Sequence, residues 1–362
     1  SNRISSEAFR VRMAAVAILL HVCSVLSWRA QAFRSPKHAT HLSLLQARVS
    51  LLTGATSAGR CVPLLQENKE AIFNTQLFRA DDSEAVLRIV DDHLDEFKAR
   101  EIATALHRVA ARNKYKRARR DVLLRDARLE RLVDAAKEQA AQFSAHCVAD
   151  VLWSMATLNH FPSRMLVPVL TSVNSHLDLQ DFKGHHLSTI VWAFAKLNTK
   201  PVRLLERIEE QTVAKLEYMN MQNCANLMWG FAKLNYQPIV LLPHMMDALL
   251  KPGMLDAAKH VEVADIGYSL GVIAQPGECS DLLRALAQRA APDTTLRWLS
   301  SRQICMLIDT FAQLEATEEL PEGLLDAWIC IVKIAHAETP LMARDGAKLE
   351  RSLERLRGGA AW

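Results

Sequence analysis

The chain has 362 residues, half of them apolar, with only 12 glycines and 12 prolines. This composition favours a largely helical protein with a large core and argues against a β-sandwich or a barrel. The formal net charge is +4, but residues 1–60 hold eight basic residues and one acid, which leaves 36 basic and 39 acidic residues in the remaining chain. Any contact with nucleic acid must therefore depend on a local basic patch.

Residues 1–60 are predicted to be a disordered targeting leader. An apolar stretch over 14–28 is followed by Ala30-Gln31-Ala32, small residues that suit a signal-peptidase site, and then by Phe33. No Asp or Glu occurs from Phe33 to Gln66. This pattern resembles the bipartite plastid leader of algae with secondary red plastids. We expect plastid import, with a mitochondrial presequence, simple secretion and a signal anchor as the alternatives.

Residues 61–96 are predicted to be N-terminal capping helices, with Ser83 as the N-cap of a helix that runs to Leu94. A basic tract follows over 112–120. Residues 98–131 hold twelve basic and four acidic residues, so the rest of the chain after residue 60 has a net charge of −11. This polarisation is expected for phosphate contact, although a solvated helix face explains it equally well. The candidate RNA-binding residues of the tract are Arg112, Lys114, Lys116, Arg117, Arg119 and Arg120.

One motif recurs along the chain. Three segments, 151–159, 190–198 and 227–235, align directly, and each has a Trp followed three residues later by Ala. Weaker copies contain His107, Tyr268 or Asp309 in place of the Trp. Successive copies are 46, 39, 37, 39 and 41 residues apart, which is the period of a two-helix repeat. The longer first interval predicts an insertion or an elongated helix over 112–120.

The position three residues after the Trp admits only Ala or Gly, which predicts that another helix backbone comes close there. Its six members are Ala110, Ala156, Ala195, Ala232, Gly271 and Ala312. A Leu-Asn pair ends the strong copies, and a Pro follows three residues after the Asn. Asn tolerates the left-handed conformation that ends a helix, and Pro suits the first turn of the next one. An apolar pair then recurs in the other helix, as Met165-Leu166, Leu204-Leu205, Leu241-Leu242, Leu282-Leu283 and Leu324-Leu325.

Helix pairs of this size cannot bury their apolar stripes alone, so neighbouring pairs must stack. We therefore predict an all-α protein, a right-handed α-solenoid of about six two-helix repeats with capping helices. The array is predicted over 97–335, and a C-terminal capping helix with a tail over 336–362.

The repeated residues suggest further contacts. Trp153, Trp192 and Trp229 would be able to stack on bases, but core packing explains their place in the apolar stripe better. The three Asn residues of the Leu-Asn pairs would be able to read base edges, but helix capping is the simpler explanation. Lys196 and Lys233 lie in the last turn of their helices, where they either contact phosphate or favour the helix dipole. We include both lysines among the candidate RNA-binding residues.

No motif indicates catalysis. The seven cysteines contain no Cys-x-x-Cys pair, and His185-His186 has no second ligand cluster nearby in sequence. There is no glycine-rich phosphate loop, nucleophile elbow or His-Glu-x-x-His motif. We therefore predict a protein that is not an enzyme, with no metal, no cofactor and no small-molecule substrate.

The segment 221–238 resembles the second helix of octotricopeptide-type repeats, and 187–201 matches that helix nearly as well. Similar arrays occur in organellar proteins that end in a RAP domain and in the leucine-rich region of FAST-kinase-like proteins. The resemblance spans about 97–335. Two features depart from it, because the C-terminus has no RAP-like segment and the first-helix motif rich in Pro and Trp is absent.

The resemblance implies binding of single-stranded organellar RNA, with a role in transcript stability, processing, translation or ribosome assembly. The alternative is a protein-binding scaffold subunit of an organellar ribosome or RNA-processing complex, which the acidic remainder favours. A third class, a non-catalytic relative of the FAST-kinase-like proteins, would not be an enzyme either. Other proteins of a ribonucleoprotein complex are expected partners, and no membrane association is expected for the mature form.

Overall fold

The computed structural model describes residues 71–160, 163–173, 178–291, 299–338 and 341–357. The predicted leader lies outside these residues. The described residues form sixteen helices and no strand, within one compact unit over Glu70–Trp362. The helices, numbered in chain order, are α1 (71–79), α2 (Ser83–His93), α3 (Ala99–Asn113), α4 (Arg117–Leu123), α5 (Ala127–Glu138), α6 (Ala145–Leu158), α7 (Ser163–Thr171), α8 (Gly184–Lys196), α9 (Val202–Val213), α10 (Met221–Lys233), α11 (Leu241–Leu250), α12 (His260–Ile273), α13 (Ser280–Ala290), α14 (Ser301–Gln313), α15 (Leu324–Glu338) and α16 (Ala343–Arg357).

Short polar residues begin several of these helices. Ser144, Asn220 and Ser300 each accept a hydrogen bond from the backbone N–H three residues ahead, which satisfies a donor that the first helical turn leaves unpaired. The predicted N-cap of α2 was wrong by one residue. Asp82 is the cap, since its carboxylate accepts from the Ala85 N–H at 2.8 Å, and Ser83 is the first helical residue.

The predicted left-handed helix ends are confirmed. Asn159, Asn198 and Asn235 have φ values of 52°, 51° and 48°. At the first of them, the His160 N–H bonds back to the Met155 carbonyl at 3.0 Å, as in a Schellman motif. Glu315 ends α14 in the same conformation, with φ 53°, so the weak copy keeps the backbone geometry without the Asn.

The six helices that carry the repeated motif pack side by side in chain order. Helix α3 packs on α6, and the contacts continue through α8, α10, α12 and α14 to α16, while α2 covers the other side of α3. We name the seven helices α3, α6, α8, α10, α12, α14 and α16 the anchor row. The predicted all-helical architecture is confirmed, and this in-order stacking is that of an α-solenoid.

The small-residue positions lie where anchor-row helices approach each other. A Cβ atom added to Gly271 would come within 3.2 Å of the Thr310 Cα in α14. Gly230, two positions before the predicted contact at Ala232, is tighter still, because its added Cβ would lie 2.6 Å from the Val191 Cγ1 and 3.1 Å from the Val191 backbone. The prediction of close approach is confirmed at Gly271, the five alanines of the set are buried, and Gly230 is a further close contact outside the predicted set.

The remaining helices of the array, α5, α7, α9, α11, α13 and α15, form a flanking row that packs less continuously. The predicted apolar pairs bury their described side chains here, with Leu325 only partly covered. The extra length after α3 is an inserted short helix, α4, as predicted. Within the described residues, no helix is both long and apolar enough to cross a membrane.

Candidate nucleic-acid interface

The repeated aromatic position forms a column along one face of the anchor row. Three residues correspond to about −60° around a helix, so this position lies beside the small-residue contact rather than inside it. The column runs from α3 to α12 through His107, Trp153, Trp192, Trp229 and Tyr268. All five side chains are partly buried. The three tryptophans pack against the core, as expected, but each residue is partly buried rather than fully enclosed.

The two ends of the column have different neighbours. His107 lies against Trp153 with ring centroids 4.6 Å apart, so the imidazole ring covers part of that indole. Further along, the Lys196 ammonium lies 6.0 Å from the Trp192 ring centroid and 5.9 Å from that of Trp229. These distances are at the limit of a cation–π interaction. The Lys196 ammonium therefore places a positive charge close to two indole rings.

A first groove, of about 500 Å³, joins the basic tract to the column. Lys114, Tyr115 and Arg120 line it from the side of α3 and α4, and Trp192 and Lys196 line it from α8. Two groups of predicted site residues that lie about 80 residues apart in sequence therefore meet at one surface.

A second groove, of about 640 Å³, crosses five helices of the anchor row, from α8 to α16. Its basic lining residues are Lys196, Lys233, Arg302, Arg344 and Lys348. Trp229 and Tyr268 contribute aromatic surface between these cations. Lys196 lines both grooves, so the two adjoin at this residue.

The residues of the basic tract differ in the contacts that they make within the protein. Arg112 donates to the Ala80 carbonyl at 2.9 Å and fastens the end of α1 to α3. Arg120 donates to the Thr157 carbonyl at 3.0 Å, so it supports α6 while lining the first groove. Lys114, Lys116 and Arg119 are exposed and form no ion pair with any described residue. The side chain of Arg117 lies outside the described ones.

Several residues that line the grooves were not among the predicted site residues. Tyr268 carries a signal, because it stands three residues before Gly271 just as Trp229 stands before Ala232. Arg344 and Lys348 fall within the predicted C-terminal segment over 336–362 but were not predicted as site residues, and their i,i+4 spacing places them on one helical face. Lys348 also pairs with Asp309 at 2.6 Å, and the Ser352 hydroxyl donates to the same carboxylate at 3.0 Å. These bonds fix α16 against α14.

Carboxylates and histidines also lie along this face. Burial, reinforced by Glu262, raises the pKa of Asp265 in the second groove to about 6. Burial likewise raises the pKa of Asp150, which occupies the equivalent position in α6. His185-His186 lies at the start of α8, where the Lys183 N–H donates to the Nδ1 of His186. Within the described residues, no group of three or more His, Cys, Asp or Glu side chains is arranged to hold a metal ion.

These features define a helical-repeat protein whose repeats present an aromatic and basic surface along a single row of helices. The chain matches no protein-family model, and no curated protein is significantly similar to it.

Proposed function

We propose that this protein is a right-handed α-solenoid of about six two-helix repeats that binds single-stranded organellar RNA. The observation that carries the proposal is the convergence of basic side chains on two adjoining grooves along the anchor row. A role in transcript stability, processing, translation or ribosome assembly follows from the octotricopeptide-like repeats, and in that role the protein is not an enzyme. The leader pattern favours the plastid as the location of the protein, with the mitochondrion as the alternative.

The charges of the grooves support an anionic ligand. Lys114, Lys196, Lys233, Arg302 and Arg344 line the grooves and form no ion pair with any described residue. Cations that have no ion-pair partner among the described residues repel one another, so each stabilises a bound phosphate at little cost. The groove floor adds tryptophan rings, which suit bases that are not hidden in a duplex.

The alternative function is a protein-binding scaffold in an organellar ribosome or RNA-processing complex. The observation in its favour is the net charge of −11 outside residues 1–60 and 98–131. An acidic body repels RNA at long range, and it suits a basic protein partner.

The test is a filter-binding titration of the full chain against a single-stranded RNA over a range of salt concentrations. We expect the double variant Lys196→Glu/Lys233→Glu to bind about tenfold more weakly at low salt. Each lost phosphate contact should lower the slope of log K against log salt by about 0.7. The basic leader contributes equally to both proteins, so it cancels in the comparison.

The matched control is Arg203→Glu/Lys251→Glu, which reverses two exposed charges outside both grooves. It changes the net charge by the same amount, so it should reproduce only the small, non-local part of the effect. Equal losses for the two double variants, or no salt-sensitive binding by the wild type, would replace the RNA proposal with the scaffold.

A further inference from the structure

The open part of the aromatic column spans three consecutive anchor-row helices. Trp192, Trp229 and Tyr268 line the grooves from α8, α10 and α12. Helices α8 and α10 meet at backbone contact, since Gly230 in α10 lies against Val191 in α8, and α12 packs on α10. Packed helices lie about 8–10 Å apart, so the rings form a rigid series with one ring per repeat.

The cations lie beside the rings rather than in place of them. Lys196 and Lys233 each follow a tryptophan by four residues, which places the ammonium and the indole on the same helical face. Arg302 and Arg344 line the second groove together with Trp229 and Tyr268. A ligand that fits this surface has flat apolar groups alternating with negative charges, as the bases and phosphates of a single strand do.

Trp153 provides an internal contrast. It occupies the same register in α6, but the His107 ring already lies against it at 4.6 Å, and Trp153 lines neither groove. His107 therefore lies beside Trp153 where a base would stack, and Trp153 has no place in the lining of either groove. The available platforms are therefore restricted to α8, α10 and α12.

We infer that Trp192, Trp229 and Tyr268 are stacking platforms that each accept one nucleobase, while the neighbouring cations contact the phosphates that join those bases. Reading one base per helical repeat is a known solution in RNA-binding repeat proteins. The inference rests on the proposed RNA-binding function and adds to it a requirement for unpaired bases.

The test compares three ligands with the full-length protein: an eight-nucleotide single-stranded RNA, an abasic ribose-phosphate strand of the same length, and the corresponding RNA duplex. The abasic strand keeps every phosphate and removes every base. Stacking on an aromatic side chain changes affinity by about tenfold per base. We expect the single strand to bind at least tenfold more tightly than either of the other two ligands at equal salt.

Variants of Trp229 locate the effect. Trp229→Leu should weaken binding of the single strand by about tenfold and leave binding of the abasic strand unchanged, because only the base loses its platform. Trp229→Phe should restore most of the affinity. Tyr218→Ala is the matched control, since it removes an exposed ring that lines neither groove. Thermal unfolding of each variant checks that the array is intact.

The possible results separate this inference from the proposal on which it rests. Equal salt-sensitive binding of the single and abasic strands would overturn stacking and leave phosphate binding in place. Absence of binding to all three ligands would remove the RNA function itself. If Trp229→Leu fails to fold, the wild-type preference for the single strand over the abasic strand still decides the matter, with Tyr268→Leu as the second variant.

Discussion

Trp153 and Trp229 occupy the same register of the repeat, yet their surroundings differ. The first is covered by His107, and the residue four positions after it is Thr157, which is buried. The second lines a groove and is followed at the same spacing by the exposed Lys233. We refer to the part of the column on α3 and α6, together with the start of α8, as the closed end, and to the part from Trp192 to Tyr268 as the open end.

The difference shows that the repeat determines the position of a ring on its helix but not whether a ligand can reach that ring. Every member of the column stands three residues before an Ala or Gly, so each occupies the same register of its helix. Whether that ring can contact a ligand depends on the adjacent helix and on the residue one turn later. At Trp153 the adjacent helix contributes His107 and the residue one turn later is Thr157, whereas Trp192 and Trp229 are followed one turn later by Lys196 and Lys233.

The largest expected effect is acid sensitivity of the closed end. Burial lowers the pKa of His186 to about 4 in the folded protein, from about 6.5 in the unfolded chain. Below pH 6.5 the unfolded chain binds a proton that the folded protein refuses, so the free energy of unfolding falls as pH drops toward 4. We expect a loss of about 2 kcal/mol over this interval, measured by chemical denaturation at a series of pH values.

The control for this prediction is His186→Gln. Its amide oxygen can still accept from the Lys183 N–H, as a Gln does at this position of a capping box, but it does not titrate. The variant should therefore lose less stability than the wild type between pH 6.5 and 4. Parallel stability curves for the two proteins would show that His186 is not the sensitive group.

A smaller effect is expected at the joint between α8 and α10, which holds the open end in register. Gly230→Ala places a Cβ atom 2.6 Å from the Val191 Cγ1 and 3.1 Å from the Val191 backbone. We expect a net loss of about 1–2 kcal/mol, because the overlap exceeds the gain in helix propensity.

Gly346→Ala is the matched control for that substitution. Gly346 also lies within a helix, α16, but an added Cβ there meets nothing within 4 Å. It should stabilise the protein by up to about 1 kcal/mol through helix propensity alone. Thermal or denaturant unfolding should therefore give shifts of opposite sign, and two stabilising substitutions would show that the helices can move apart freely.

The smallest effect concerns the charge of the second groove. The pKa of Asp265 is raised to about 6, which is still below 7, so the carboxyl is mostly ionised at pH 7. Its negative charge then repels a phosphate. Under the proposed function, Asp265→Asn should bind RNA about threefold more tightly at pH 7 and no more tightly at pH 5, where the native carboxyl is protonated. Filter binding at both pH values tests this. Asp247→Asn, an exposed position outside the grooves, should change little.

The repeat pattern predicted most of the fold because the same local rules act in every copy. Asn ends a helix in the left-handed conformation wherever it stands, and small residues mark close contacts. A further signal went unused. A buried apolar residue lies ten positions before each residue at the Trp position of the repeat. The clearest examples are Phe97, Phe143, Phe182 and Met219. In these four copies a single 3-10 turn precedes that residue.

The surface was less predictable than the fold. The charge of the 112–120 tract was visible in the sequence, but the bonds that Arg112 and Arg120 make to distant carbonyls were not. Arg302 and Arg344 line the second groove together with residues of α8, α10 and α12, because these helices pack in chain order with α14 and α16. Side chains that meet across five helices are not encoded by any local pattern.

Helix α16 has a consequence for self-association. It buries Leu349, Leu353 and Leu356 and turns a charged surface away from α14. Because α16 packs on α14 and presents charged side chains on its exposed face, a second molecule would meet a polar surface there, which disfavours end-to-end stacking through α16.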